Sequence, residues 1–414
     1  MRRVYRCCAG LDVHQKSVAA CIRVSKNRRV ELVKAVFGTF SEDLKALADW
    51  LKVYKIRHVA MESTGVYWIP VWNVLERAKR FDLVLVNPQH ARAIPGKKTD
   101  QIDCERLAEL HQYGLVRPSF IPPAPIRELR DLTRRRTHLQ QDRNRVINRI
   151  RRLLETANIK LGSVMSNVVG DTGRSILEGL ATTKLNRPEI FADFAKGSLK
   201  QKKEEIRKAL RVPITEHFQF MLSELLDELD RLDKKVDAME ARIRQKMIPY
   251  EAHIVRLCTV PGIQRITAWT IIAEIGVDMT KFPTPEQLAS WAGLCPGNSE
   301  SAGKRKSAKT RKGDRYLRRI LTQTAWAIAR RKDGGFLTTM FFRIARHAGM
   351  KKAAVAIAHR VLTTIHRMFS RGLDYVDPGA NYLDRLHPQR TTKRLVQRLE
   401  QLGLDVVVRP RSTA

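Results

Sequence analysis

Two stretches of this chain repeat apolar residues every seven positions, and no other feature constrains its fold as tightly. In the first, Leu132, Leu139, Val146 and Leu153 share one heptad position, with Leu129 and Ile150 on the same seam. In the second, Leu222, Leu229, Val236 and Ile243 repeat, and Leu225, Leu232 and Met239 fill the other apolar position. A period of about 3.5 residues keeps one helix stripe apolar along its whole length, so both stretches are expected as long helices packed along a seam. The seam is closed either by a second copy, as a coiled coil, or by the other stretch in a hairpin within one chain. Self-association, and so a homo-oligomer, is the expectation carried forward. Residues 160–212, between the two stretches, have weaker periodicity and read as an insertion.

The N-terminal part follows a different period. RCCAGLDVH, SVAACIRV and RVELVKAVF read as three short strands over residues 6–36, and SEDLKALADWLKVY as an amphipathic helix with Ser41 as its N-cap. A fourth strand, RHVAMES, ends at Glu62. A helix over 67–80, a fifth strand, FDLVLVN, and a helix over 99–113 follow. Three strands and then alternating helices and strands describe an α/β domain with a mixed sheet. The Pro-rich segment GLVRPSFIPPAP marks a boundary. The expected division is an α/β domain over 1–118, a helical coiled-coil region over 119–248, a mostly helical domain over 249–375 and a basic tail over 376–414.

Charge narrows the partner. The chain has 77 Lys and Arg against 42 Asp and Glu, a formal net charge of +35. Such an excess repels itself unless a polyanion offsets it, and nucleic acid is the usual polyanion. No apolar run reaches the roughly 18 residues of a membrane span, and the basic start has no signal-peptide core. The expectation is a cytoplasmic protein with no membrane partner. The six cysteines form no CxxC pair and read as reduced thiols.

Four carboxylates suggest chemistry. Asp12 lies at the end of the first strand inside an apolar stretch, where an ionised acid is costly unless paired or bound to a cation. Glu62 ends the fourth strand. Asp100 and Asp103 are one turn apart on a helix and share a face. Any one of these alone is more often a turn, cap or helix-dipole residue. As an ordered set, on strand one, on strand four and on a later helix, they have the layout of a ribonuclease-H-like nuclease. Two divalent cations would offset their repulsion, and oxygen-only ligands favour Mg²⁺ or Mn²⁺. A pair of such ions stabilises both the attacking and the leaving oxygen of a phosphodiester exchange.

Further basic and turn residues lie in the C-terminal half. In VPGIQRITAWTIIAEIG, Pro261 and Gly262 make a tight turn, either of a helix-hairpin-helix that holds a phosphate on backbone N–H groups or of an ordinary helical turn. A loop with Gly303 leads into the densest basic run, Lys304, Arg305, Lys306, Lys309, Arg311, Lys312, Arg315, Arg318 and Arg319. Such a run is either a solvated face or a contact for DNA phosphates, and the second is expected here. The Arg-rich helix RDLTRRRTHLQQDRNRVINRIRR can grip RNA or DNA phosphates. Tyr67 and Trp68, just after Glu62, read as core residues, with a wedge beside a DNA strand as the alternative.

At GLDVHQKSVAACI, MESTGVYWIPVWNVL and VNPQHARAIPGKKTDQIDCERLAEL the chain resembles the DEDD insertion-sequence transposases of the IS-one-ten type, bridge-RNA-guided recombinases. PGIQRITAWTIIAEIG, WAGLCPGNSESAGKRKS and KGDRYLRRILTQTAWAIAR are similar to that family's transposase domain. The resemblance implies a RuvC-like N-terminal domain whose quartet falls on Asp12, Glu62, Asp100 and Asp103. It also implies a nucleophilic serine before Ala-Gly-Lys, at Ser301, which would form a phosphoserine–DNA intermediate. In the family the serine of one subunit completes the carboxylate site of another, which implies a dimer or tetramer on DNA. A structured guide RNA pairing with donor and target DNA, and a place at the bacterial nucleoid, are implied likewise. By the residues alone, Ser301 has Ser299 and Ser307 as neighbours and is as readily a phosphate or turn contact. The alternatives are a site-specific DNA invertase without a guide, a RuvC-like nuclease of branched DNA, and a catalytically silent nucleic-acid-binding protein.

Overall fold

The computed structural model describes residues 3–26, 29–62, 65–86, 100–183, 187–297, 299–301, 304–307, 310–386 and 388–409. The chain divides into two compact units, Met1–Ile121 and Pro122–Ala414.

In the first unit β1 (Cys7–Val13), β2 (Val18–Lys26) and β3 (Arg29–Phe37) form an antiparallel meander, followed by α1 (Ser41–Val53). Then come β4 (His58–Glu62), α2 (Trp68–Arg77), β5 (Asp82–Val86) and α3 (Asp100–Gln112). The sheet order is β3-β2-β1-β4-β5, with β1, β4 and β5 parallel. This is the mixed sheet expected from the alternation of strands and helices.

Because strand side chains alternate in direction, β1 divides its residues between two layers. Ala9, Leu11 and Val13 enter the core formed with Leu44, Leu47 and Leu51 of α1 and Val71 and Leu75 of α2. Cys8, Gly10 and Asp12 are on the opposite face, under α3. The approach there is close. The Cys8 thiol donates to the Ala108 carbonyl at 3.3 Å, and a Cβ on Gly10 would lie 2.3 Å from the Cys104 carbonyl oxygen. Only glycine at position 10 lets α3 rest directly on β1.

The second unit is helical. α4 (Ala124–Thr156) leads to α5 (Leu161–Val164), α6 (Asp171–Thr182), α7 (Pro188–Asp193) and α8 (Lys203–Leu210), and α9 (Glu216–Met247) returns alongside α4. The ion pairs Arg136–Glu240, Arg143–Asp233 and Arg149–Glu228 run in opposite sequence directions, so the two long helices are antiparallel. Leu139, Val146, Ile150, Leu222, Leu229, Leu232 and Val236 are buried in one core with side chains of α5 to α8. The heptad seam is therefore closed inside one chain, as the hairpin that the sequence also allowed. The segment around 160–212 is a cap of short helices sharing that core.

α10 (Glu251–Cys258) and α11 (Arg265–Ile275) follow, joined by a turn in which Gly262 has φ +79°. After α12 (Pro285–Trp291), β6 (Ser299–Ser301) pairs antiparallel with β7 (Lys304–Ser307). α13 (Arg315–Ala329), α14 (Phe336–Ala348) and α15 (Met350–Arg371) complete the packed part. α16 (Tyr382–Leu386) and α17 (Pro388–Glu400) lie in the basic tail. No described helix is long and apolar enough to cross a membrane.

Candidate active site

The sheet register brings two of the four acids together. β1 and β4 pair in parallel from Cys8 with His58 to Leu11 with Met61. One step further along both strands are Asp12 and Glu62, side by side and on the face that α3 covers. α3 runs against β1, with Ala108 over Cys8 and Cys104 over Gly10. Two more strand residues advance about 6.6 Å, and one more helical turn back is about 5.4 Å. Asp12 therefore lies opposite the first turn of α3, where Asp100 and Asp103 are placed. The side chain of Asp100 lies outside the described residues. Asp103 is half-buried.

Asp12 is 5% exposed. Its Oδ2 lies 3.1 Å from Nε2 of His14, a half-exposed imidazole that is cationic only when protonated. His14 was not singled out by sequence reasoning. The signal was the D-x-H spacing itself, because residues two apart at a strand end share a face. The floor beside Asp12 is made of thiols. Cys21 of β2 and Cys104 of α3 share a hydrogen bond, which together with burial raises Cys21 far above the usual thiol range; the same bond lowers Cys104. All six cysteines are thiols, none in a disulfide. Of the two aromatics after Glu62, Trp68 packs on the core and Tyr67 is exposed.

Carboxylate oxygens are the donors a hard divalent cation takes. Among the described residues, however, no group of three or more His, Cys, Asp or Glu side chains is gathered closely enough to hold an ion.

Ser301 lies on β6 opposite Lys304 of β7. The side chains of Ser301, Lys304, Arg305 and Lys306, and all of Gly303 and Lys309, lie outside the described residues. The chain entering and leaving this hairpin is pinched: a Cβ on Gly313 would lie 2.3 Å from the Gly293 nitrogen. Beyond it Asp314 caps α13, accepting from the Tyr316 and Leu317 N–H groups at 3.0 and 2.8 Å. Its other oxygen takes Nη2 of Arg134 at 2.9 Å. Arg134 also forks onto both oxygens of Glu274 at 2.8 Å each. Glu274, on α11, is fully buried and holds Arg130 as well, at 3.0 Å. Burial pushes the Glu274 carboxyl above its usual range, against the pull of the two guanidiniums. The Tyr316 ring lies under Arg134, 4.6 Å from its guanidinium carbon to the centroid, and the hydroxyl meets His138 Nε2 at 2.8 Å. This network joins α4, α11 and the start of α13, immediately after the serine hairpin. Sequence reasoning missed it, because its members lie 140 and 180 residues apart.

The basic run is divided by these contacts. Arg311, Lys312 and Arg319 are exposed. Arg318 donates to the Thr310 hydroxyl at 2.7 Å, and Arg315 to the Tyr316 hydroxyl at 2.8 Å.

Comparison with known proteins decides the family. A DEDD-type IS110 transposase profile matches residues 9–159, and a profile described as "Transposase IS116/IS110/IS902 family" matches residues 255–338. The chain belongs to this transposase family. The enzyme class expected from the sequence, a DNA transposase or recombinase, is the class of that family. A curated relative is "Insertion element IS110 uncharacterized 43.6 kDa protein" of Streptomyces coelicolor, 28% identical over 167 residues. That alignment spans 40% of this chain and 40% of the relative. T. thermophilus RuvC, solved in complex with a Holliday junction substrate, aligns with 10% identity and a TM-score of 0.22, over 28% of this chain and 100% of that one.

Proposed function

We propose that this protein cuts and rejoins DNA to move an insertion sequence. Its ribonuclease-H-like domain would present Asp12, Glu62, Asp100 and Asp103, and Ser301 would be the nucleophile. The observation that carries this reading is the register that sets Asp12 beside Glu62 under the first turn of α3. Four acids there would hold two Mg²⁺ or Mn²⁺ ions, which when bound stabilise charge on the attacking and leaving oxygens.

The chain's own part is the exchange at phosphorus. The Ser301 hydroxyl loses its proton to a base, and its Oγ forms the bond to phosphorus. The bond to the leaving deoxyribose oxygen breaks, and that oxygen gains a proton. The phosphoserine keeps a phosphodiester's bond energy, so the reverse attack by a DNA hydroxyl rejoins strands without added fuel. Pro261, Gly262, Gly303 and the basic run from Lys304 to Arg319, of which Arg311, Lys312, Arg315 and Arg319 are exposed, would steady the DNA backbone. A structured guide RNA would choose donor and target, which suits a chain rich in phosphate-binding charge and poor in aromatics. The subunits would work as an oligomer on DNA, with the serine of one beside the carboxylates of another. The divisions near 118, 248 and 375 would separate the carboxylate domain, the helical arm, the serine domain and the tail.

Wild-type protein with donor and target DNA and Mg²⁺ should form a covalent protein–DNA adduct that Ser301→Ala abolishes. Mixing Ser301→Ala with Asp12→Ala subunits should restore part of the strand exchange. Recombination by Ser301→Ala alone would overturn the serine mechanism, and hydrolysis with no adduct in the wild type would favour a nuclease.

A further inference from the structure

α4 has a side that its pairing with α9 covers only in part. Arg143, Asn144, Ile147, Asn148 and Arg151 recur at spacings of three and four and so share one side of the helix. The segment from Asn167 to Val169, in the cap of short helices, lies across from that side. Together they enclose a cleft of about 370 Å³.

The lining is selective. Ile147 and Val169 provide its apolar part, and Asn144, Asn148 and Asn167 provide three carboxamides. Arg143 and Arg151 supply positive charge, and among the described residues no carboxylate lines the cleft. Three of its polar side chains, those of Arg143, Arg151 and Asn167, are held in place. Asp233 of α9 grips Arg143, with a second contact at 3.3 Å. Arg151 donates to the Ser166 carbonyl at 3.1 Å. The Asn167 side-chain oxygen accepts from the Val169 N–H at 3.3 Å, which aims its amide donors elsewhere. Each guanidinium has N–H groups to spare after these bonds.

We propose that this cleft receives one unpaired nucleotide of a nucleic-acid strand. A base presents a flat apolar face and an edge of mixed donors and acceptors, and a carboxamide matches such an edge with one of each. The flanking phosphate takes a guanidinium. A lone anion would use the arginines and leave three carboxamides and an apolar floor without purpose. A duplex keeps its bases stacked and paired, and sending one in costs unstacking and unpairing, a cost that is least for a strand already single. The volume is near the low end of ligand pockets, roughly 300–1,000 Å³, so the cleft takes one nucleotide and not a run of them. This inference deepens the reading above by giving the 160–212 segment a nucleic-acid contact. It rests on that reading only for the class of partner.

Binding, not recombination, tests it, so failure of the serine mechanism would leave the result interpretable. Fluorescence anisotropy of the full-length protein is measured with labelled single-stranded RNA, single-stranded DNA and duplex DNA over a range of salt. Asn144→Ala/Asn148→Ala changes no charge. It should weaken single-strand binding about tenfold, in line with the worth of a good base-edge contact, with an unchanged salt slope and duplex affinity within about twofold of wild type. Arg151→Gln should weaken binding and flatten the single-strand salt slope by about 0.7, one phosphate contact. A loss confined to RNA identifies an RNA partner, a loss confined to DNA a displaced DNA strand, and either supports the cleft. Both Asn positions are exposed, so an unchanged unfolding midpoint is required of the double variant. A strand carrying 4-thiouridine should crosslink to the peptide spanning 144–151 or that spanning 167–169. Unchanged single-strand affinity, or an equal loss on duplex DNA, overturns the proposal.

Discussion

Asp12 and Glu274 are both buried carboxylates, one in each unit of the molecule, and the chain surrounds them in opposite ways. Glu274 is met by two guanidiniums from α4, one of which also grips the capping residue of α13. Its charge is answered within the fold, and the result is a junction of three helices. Asp12 is set beside Glu62 by the strand register and faces a helix whose first turn places Asp100 and Asp103. Its Oδ2 meets the His14 imidazole, which is charged only when protonated. Gathering four acids, as the proposed site would, works against folding. A buried acid completed by arginines is part of the scaffold. In the proposed site a cation from solution would complete the acids around Asp12.

The largest expected effect separates the two directly. Asp12→Asn should abolish strand exchange while leaving the unfolding midpoint unchanged or slightly higher, because it removes a like-charge neighbour. Glu274→Ala should do the reverse to stability, costing up to about 3–5 kcal/mol by removing the buried carboxylate that two half-buried guanidiniums share, read by chemical denaturation. If Asp12→Asn destabilises as much as Glu274→Ala, the contrast between the two sites is wrong.

His111 sharpens the comparison, as a buried group kept uncharged. It is 2% exposed, and burial, helped by the nearby His58, holds its pKa down at about 4. Among the described residues neither ring nitrogen has a partner. A histidine whose folded pKa lies below its unfolded value stabilises fully above the unfolded value, near 6.5, and loses that contribution as pH falls through the folded one. Stability should therefore drop between about pH 6.5 and 4, by up to about 3 kcal/mol. His111→Phe should flatten that limb, and a wild-type profile already flat there would contradict the assignment.

The smallest effect concerns Asp314. Asp314→Ala should cost about 1–2 kcal/mol through the lost cap. Asp314→Asn, which retains a capping oxygen, should recover most of the midpoint. Equal losses would mean that the charge bridging to Arg134, and not the cap, holds α13 in place.

The strands that carry Asp12 and Glu62 were readable because each is a short apolar run bounded by polar residues. AGLDVH and VAMES are short apolar runs that each reach an acid, so the strands, and the acids at their ends, follow from apolar runs of strand length. The long helices followed from their heptads, but a heptad does not say which stripe it meets, and so the closure of α4 on α9 within one chain needed coordinates. The cap over 161–210 has short helices, of 4 to 12 residues. Few of them complete enough turns to show a period, and their burial is shared in one core with the arm. The Glu274 network was invisible for another reason: ion pairs across 140 residues leave no spacing to read.

The antiparallel arm also fixes distances. The 33 residues of α4 span about 50 Å, with the Glu274 junction near one end and the cap of short helices at the other. Such an arm behaves as a ruler with coarse graduations. Removing seven residues from each helix would shorten it by about 10 Å and turn the cap by only about 20°. Removing five would swing the cap through about 140° and break the seam. Changes in reach are therefore available to this architecture in whole heptads, made in both helices together.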